Sequence, residues 1–482
     1  MRLFAWLGVA VLLVGCTRPA ATTSSTSPRA QTDTRTRAPA TAPKDERTWL
    51  LKGARVMTAT GVVYERADVL VRGSKIAAVG VDVKAPANVE VVDGRGKTVT
   101  PGIIDTHSHI GVYAAPGFAG HNDGNEAVAP TTPQVRSRDA YWPQDPQIDR
   151  ARAGGVTTMQ ILPGSANLIG GRSVTVKTYP DARGIAEARM VGAPEGLKMA
   201  CGENPKRVYA EKGGPSTRMG NVAGYRAAFA KAVEYQRSWD RHQDKLARFR
   251  KRGGVDKDGK PEDPPDPPAR DLGLETLAAV IRGEVLVHNH CYRADEMLGM
   301  LEVAKEFGFS IRSFHHAVEA YKIADVLAKR EVSASVWADW WGFKAEAFDG
   351  IRENAAMLSA AGARAIIHSD SGIGIQHLNQ EAAKAMWAGR RVGIAIPDDE
   401  ALRWITANPA WALGVQDEVG TLEVGKQADL VVWDGDPFSV YSKAERVFIE
   451  GRLVYDRRQP DAQPHTDFEL GYDSGFVTGG AR

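Results

Sequence analysis

The sequence predicts an α/β fold, a (β/α)8 TIM barrel carrying a small β domain assembled from both ends of the chain. Three observations carry this reading. Between Pro101 and about Gly414, apolar strand-like runs alternate with helical patterns, which argues for parallel βα units. The polar residues that end those runs recur near multiples of 30 residues, about the length of one βα unit. Two β-rich textures flank the region, one over Trp49–Val99 and one over Gly420–Asp456.

The elements follow in chain order. Residues 1–16, "MRLFAWLGVAVLLVGC", read as a targeting segment, with Arg2 ahead of an apolar run over Leu3–Val14. That run is short for a membrane span of roughly 20 residues. Its end, Leu13-Val14-Gly15-Cys16, resembles the bacterial lipobox, which implies cleavage before Cys16 and lipidation of it. Thr17 after the cysteine implies an outer-membrane address. The expected location is therefore the periplasmic face of a bacterial membrane, reached through the lipid anchor alone. Residues 17–46 are rich in Ser, Thr, Pro, Ala and Arg and read as a flexible tether.

Residues 47–100 show short alternating strands, "LLKGARVMTATG", "ADVLVRGSKIAAVG" and "VEVVDGRGKTVT", broken at Gly or Asp-Gly. The same texture returns over 415–460, so both pieces are assigned to one β domain. The barrel occupies 101–414. Its strand-like runs include "GVTTMQILPG", "EGLKMAC", "VLVHNHC", "FSIRSFHHA", "VSASVWADW" and "RAIIHSDS". Its helical runs include "ADEMLGMLEVAKEFG" and "FDGIRENAAMLSAAG". A charged, Pro-rich segment near 236–272 reads as a surface insertion between strands four and five. Residues 461–482 form a C-terminal tail. Net charge is +2, with no basic tract interleaved with aromatics, so nucleic acid is not an expected partner.

Polar residues at the C-terminal ends of barrel strands converge on one face. His107 and His109 end the first run and, being i and i+2, point the same way. They suit a chelated ion such as zinc. Lys198 lies inside "EGLKMAC", where an unpaired charge is costly. His288 and His290 end the next run, His315 and His316 the one after, and Asp370 ends "IIHSD". His288 and His316 are 28 residues apart, about one βα unit; His316 and Asp370 are 54 apart, about two. His107 and Lys198 are 91 apart, about three, which numbers the strands one, four, five, six and eight.

With these motifs in place, the chain resembles the amidohydrolase superfamily, nearest its imidazolonepropionase-like and prolidase-like branch. The matching stretches are "PGIIDTHSH", "GGVTTMQIL", "VLVHNHCYRADEM", "SFHHAVEAYK", "HSDS" and "TANPAWALGV…GTLEVGKQADLVVWDGDP". The resemblance implies a (β/α)8 barrel with a β-sandwich built from both chain ends. It also implies one or two divalent metal ions, most readily Zn. His107 and His109 would hold the more buried ion, and His288 and His316 the second, with His290 as the alternative to His288. Asp370 would contact the first ion and act as general base. The bridging ligand would be a carboxylated Lys198 or, alternatively, Glu203.

The implied reaction is hydrolysis of an amide-type C–N bond in a small molecule or dipeptide by metal-activated water. Deamination of a nitrogenous ring is the alternative within the family. A non-catalytic, ligand-binding lipoprotein is the alternative outside it. Tyr292 and Arg293 follow the strand-five ligand and are candidate substrate contacts; Arg293 has a competing role in an ion pair with Asp295. The loop "GHNDGNEAV" is a candidate cover for the site, and Trp340 and Trp341 are expected to pack at the mouth. Cys201 and Cys291 are either bonded or two buried thiols. An oligomer is open.

Overall fold

A computed structural model of the chain describes residues 47–459. The lipobox with Cys16, the whole 17–46 tether and the 461–482 tail lie outside the described residues. Among the described residues no helix is long and apolar enough to cross a membrane.

Strands from both ends of this region form one connected eight-stranded sheet. The junction is the antiparallel pairing of Thr98–Pro101 with Leu430–Trp433, while Thr98–Pro101 also runs parallel to Thr48–Met57. Alternation explains the sheet: Leu51, Val56, Val69, Val71, Val99, Leu430, Val432 and Phe448 share one apolar cluster. Thr100 and Trp433 are tied by an indole-to-hydroxyl hydrogen bond of 2.9 Å. A buried ion pair, Lys177 Nζ to Asp429 Oδ2 at 2.5 Å, joins this sheet to the strand Val174–Lys177 of the central region.

The central region carries two further sheets. Ile103–Ser108 runs parallel to Val156–Ile161. A parallel series then pairs Gly196–Ala200 with Leu286–Cys291, that strand with Ile311–His316, then Ser333–Val336, then Ala365–Ile367. These strands are buried on both faces, as the near-continuous apolar runs require. Helices Ala294–Phe307 and Asn354–Ala360 lie between members of the series.

Register places the chemistry. Lys198 lies opposite His288, Ala200 opposite His290, and His290 opposite His315. One rung beyond Ala200 and His290, Cys201 and Cys291 are joined as a disulfide, with Cα atoms 5.2 Å apart. Adjacent parallel strands in this register bring the two cysteines together.

The charged segment near 236–272 is a helix followed by a loop, as its composition suggests. Its first part continues the helix Arg218–Lys251, capped by Thr217 and anchored by Tyr225, Phe229 and Ala232 at i, i+4, i+7. Phe229 stacks on Phe309 at 4.3 Å. Past Ala232 the helix buries only His242, so charged residues there face solvent. The helix Leu272–Ile281, capped by Asp271, begins the next unit.

Candidate metal centre

His107 ends the strand Ile103–Ser108 and His109 follows it, so both rings turn to one side. His109 Nδ1 donates to the Leu162 carbonyl at 2.8 Å, and His107 Nδ1 is 2.8 Å from His315 Nδ1. Both contacts engage Nδ1 and leave Nε2 of each ring toward the same point, the two atoms 3.3 Å apart. Asp370 Oδ1 lies 3.3 Å from His109 Nε2 and 3.5 Å from His107 Nε2. These three side chains offer ligand atoms within 4.8 Å of one another. Burial pushes the Asp370 carboxyl up, but the His109 hydrogen bond and nearby cations outweigh it and hold the group below its usual value.

The His107 contact continues as a relay. His315 Nε2 lies 2.9 Å from His288 Nδ1. If His107 keeps its Nε2 lone pair, its proton sits on Nδ1 and is donated to His315 Nδ1. Neutral His315 then donates from Nε2 to His288 Nδ1, and the last proton of the chain rests on His288 Nε2.

Lys198 is 1% exposed. Its Nζ lies 3.3 Å from His107 Nε2 and 3.1 Å from the Pro163 carbonyl, and no carboxylate pairs with it among the described residues. Burial pushes its amine down to about 7. Glu203 goes elsewhere: it opens the helix Glu203–Tyr209, with Oε1 3.6 Å from Lys344 Nζ. The structure thus brings Lys198, and not Glu203, to His107.

His316 completes a second donor group with His107 and His368. The His290 and His316 rings meet at 4.4 Å, and Tyr292 and Trp337 stack on the His316 ring at 5.1 and 4.4 Å. His316, Ala317 and Asp370 adopt φ values of +69°, +37° and +50°. Residues with a β-carbon rarely hold such angles, and they persist where a site over-determines the backbone. His290 Nδ1, His316 Nδ1 and both nitrogens of His368 are buried with no hydrogen-bond partner among the described residues.

His368 is the residue that sequence reasoning missed. It stands two before Asp370, the same i, i+2 pattern that singled out His107 and His109. Asp105 is a second omission. Burial pushes its carboxyl up to about 7, although Ser369 Oγ and the amides of His107 and Ser369 donate to it. It ties the first strand to the Asp370 loop.

Tyr292 is 4% exposed and faces the histidines, whereas Arg293 turns outward and binds Asp295 at 3.0 Å. Trp340 and Trp341, 42% and 54% exposed on the loop after Ser333–Val336, line a cavity together with His316 and Trp337, and Trp340 stacks on Trp337. The loop "GHNDGNEAV" returns to the site through Asn125, which bonds Tyr113 beside His109.

The donor set fits a divalent ion: imidazoles held in one tautomer, a carboxylate, and buried ring nitrogens without partners. The sequence matches the model of the Amidohydrolase family over residues 272–457. A crystal structure of an amidohydrolase from Thermotoga maritima MSB8 is 38% identical with a TM-score of 0.74, covering 85% of this chain and all of that one. Amidohydrolase tasK of Hapsidospora irregularis is 36% identical over 400 residues, 80% of this chain and 39% of its own length, so the chain spans about two fifths of that relative. An imidazolonepropionase of Mesorhizobium japonicum is 25% identical over 438 residues, covering 80% of this chain and 92% of its own.

Proposed function

We propose a hydrolytic function from one premise: this chain belongs to the amidohydrolase family. The reading is hydrolysis of an amide-type C–N bond in a small molecule or dipeptide. The observation that carries it is the convergence of His107 Nε2, His109 Nε2 and Asp370 Oδ1, with the His109 tautomer set by the Leu162 carbonyl and His107 Nδ1 engaged by His315. The parallel strands of the two central sheets are read as the wall of a (β/α)8 barrel, which puts these groups at the C-terminal mouth.

His107, His109 and Asp370 would hold a first ion, for which zinc suits the donors. His316 and His290 would hold a second. His290 is preferred to His288 because it meets the His316 ring directly, whereas His288 is engaged at Nδ1 by His315. Lys198, buried and easily neutralised, suits a carboxylated bridge. A bound divalent ion would supply a water acidified toward neutral pH and would polarise the substrate carbonyl. Asp370 takes the proton of the attacking water and passes it to the leaving nitrogen. Tyr292, Trp337 and the His316 ring stack into one wall that confines the substrate. By residues 1–46 alone, the chain is further proposed to be lipid-anchored at Cys16 on the periplasmic face of an outer membrane.

The test is metal analysis of the purified protein followed by a screen of dipeptides and N-acetyl amino acids. Asp370→Asn should lower kcat by about 10³-fold or more while zinc content stays within a factor of two. Full turnover in that variant would overturn the mechanism.

A further inference from the structure

Tyr113 lies four residues past His109 and packs its ring edge-on to that imidazole, with centroids 5.4 Å apart. Its hydroxyl is held by a directed chain of hydrogen bonds. The Ala166 amide donates to Asn125 Oδ1 at 3.1 Å, and a backbone N–H can only donate. That contact fixes which end of the Asn125 amide is which. Asn125 Nδ2 therefore donates to the Tyr113 oxygen. A phenol oxygen that accepts this bond keeps its own hydrogen to give, and no acceptor takes that hydrogen among the described residues.

Two glycines make the arrangement fit. A Cβ on Gly164 would lie 2.1 Å from Asn125 Nδ2 and 2.7 Å from the Tyr113 hydroxyl. A Cβ on Gly124 would lie 2.2 Å from the Tyr113 ring. The Gly164 amide also donates to the Gly124 carbonyl at 2.7 Å, locking the "GHNDGNEAV" loop to the end of the second strand. The residue before Gly164 is Pro163, whose carbonyl accepts from Lys198 Nζ, and the residue before that is Leu162, which sets the His109 tautomer. The hydroxyl thus stands against Gly164, at the end of the segment 162–164 that engages His109 and Lys198.

Resting on the hydrolytic reading above, we propose that the Tyr113 hydroxyl donates a hydrogen bond to the substrate as its carbonyl carbon becomes tetrahedral, with Asn125 as the positioning residue. The ligand chemistry is an oxyanion on a tetrahedral centre, which gains most from a donor aimed in advance. Asn125 acts through Tyr113 alone, and loop 120–128 is the element that delivers it.

The experiment uses the full-length zinc-loaded protein. Two readouts are taken: steady-state kinetics on the dipeptide or N-acetyl amino acid turned over fastest by the parent enzyme, and calorimetric titration with methylphosphonate, a small tetrahedral oxyanion. Tyr113→Phe should lower kcat about 30-fold with KM within threefold, and should weaken methylphosphonate about tenfold, zinc content being unchanged. Asn125→Ala should lower kcat three- to tenfold. Tyr113→Phe within twofold of the parent in both readouts would overturn the proposal. Should Tyr113→Phe lose its fold or its zinc, Asn125→Ala decides: a parent-like kcat and methylphosphonate affinity would overturn it equally. A parent protein that binds zinc but hydrolyses nothing in the library would sink the hydrolytic reading alone, and the methylphosphonate titration would still decide on Tyr113.

Discussion

Replacing Lys198 with methionine should move the metal-stripped and the zinc-loaded protein in opposite directions. The side chain is 1% exposed, and its ammonium meets only one ring nitrogen and one carbonyl. Burial lowers the amine from 10.5 to about 7. At about 1.4 kcal/mol per unit, an ammonium at pH 6 costs the folded, metal-stripped protein on the order of 5 kcal/mol. The sign follows. Between pH 7 and 10.5 the unfolded chain binds more protons than the folded one, so stability of the stripped protein rises with pH across that window. Lys198→Met keeps the volume and removes the charge. Stripped Lys198→Met should therefore resist urea better than the stripped parent at pH 6–7, by about 3 kcal/mol once imperfect packing is allowed for. Its stability should also lose the pH slope. The zinc-loaded variant should do the reverse, holding fewer ions per chain and losing about 10³-fold in kcat/KM. In Lys198→Ala, whose shortened side chain leaves room, added propionate should restore part of that loss by standing in for the carboxylated amine. The decisive comparison is with Glu203→Gln, which should keep both metal and activity because Glu203 faces Lys344. If Lys198→Met kept its zinc and its rate while Glu203→Gln lost an ion, the bridge would belong to Glu203.

Two other perturbations separate further readings. His290→Ala should lose one zinc and about 10²-fold or more in kcat/KM, whereas His288→Ala, at the far end of the His315 relay, should keep its metal count and weaken zinc affinity about tenfold. The reverse pattern, read by metal analysis, would return the ligand position to His288. Lys177→Met leaves the Asp429 carboxylate buried, with only the Glu450 amide to serve its other oxygen, and should destabilise the chain by about 3–5 kcal/mol in urea unfolding. Lys177→Met combined with Asp429→Asn should recover most of that loss. If the single variant unfolds like the parent, the pair does not link sheet and central region as described.

How much of the site was legible depended on whether the signal was periodic. His107 and His109 stood out because i, i+2 spacing at a strand end sends two side chains one way, and His316 and Asp370 followed from the βα interval. The choice between His288 and His290 could not come from that rule, since both obey it. What separates them is depth along the strand and the tautomer chain through His315, and both need the neighbouring strand's register. His368 obeyed the rule and was passed over because "HSDS" was read for its aspartate alone. Arg293 and Glu203 illustrate the converse. Proximity in sequence to a strand end says nothing about direction once the chain has turned: Arg293 pairs outward with Asp295, and Glu203 pairs with Lys344, whose ammonium lies over the Tyr292 ring rather than at His107. Tyr113 and Asn125 were out of reach, because a non-periodic loop must close before an amide can aim a phenol. The bonded cysteines needed the parallel register of two strands separated by 90 residues.

The histidine cluster also argues against an inherited barrel with no remaining chemistry. A core histidine normally settles both ring nitrogens, because an unpartnered buried polar atom costs about 1–3 kcal/mol. Here five such atoms sit together: His288 Nε2, His290 Nδ1, His316 Nδ1 and both nitrogens of His368. Each is a buried polar atom whose burial is unfavourable until a partner engages it. Left-handed backbone at His316 and Asp370 adds to that cost. Apolar residues at the same positions would remove the cost, so a binding protein without use for a metal would gain by replacing them. The relay through His315 sharpens the point. A chain of imidazoles that sets each proton in turn has no packing value, but it leaves one lone pair, His107 Nε2, facing His109 and Asp370 at the place where a cation is to be held.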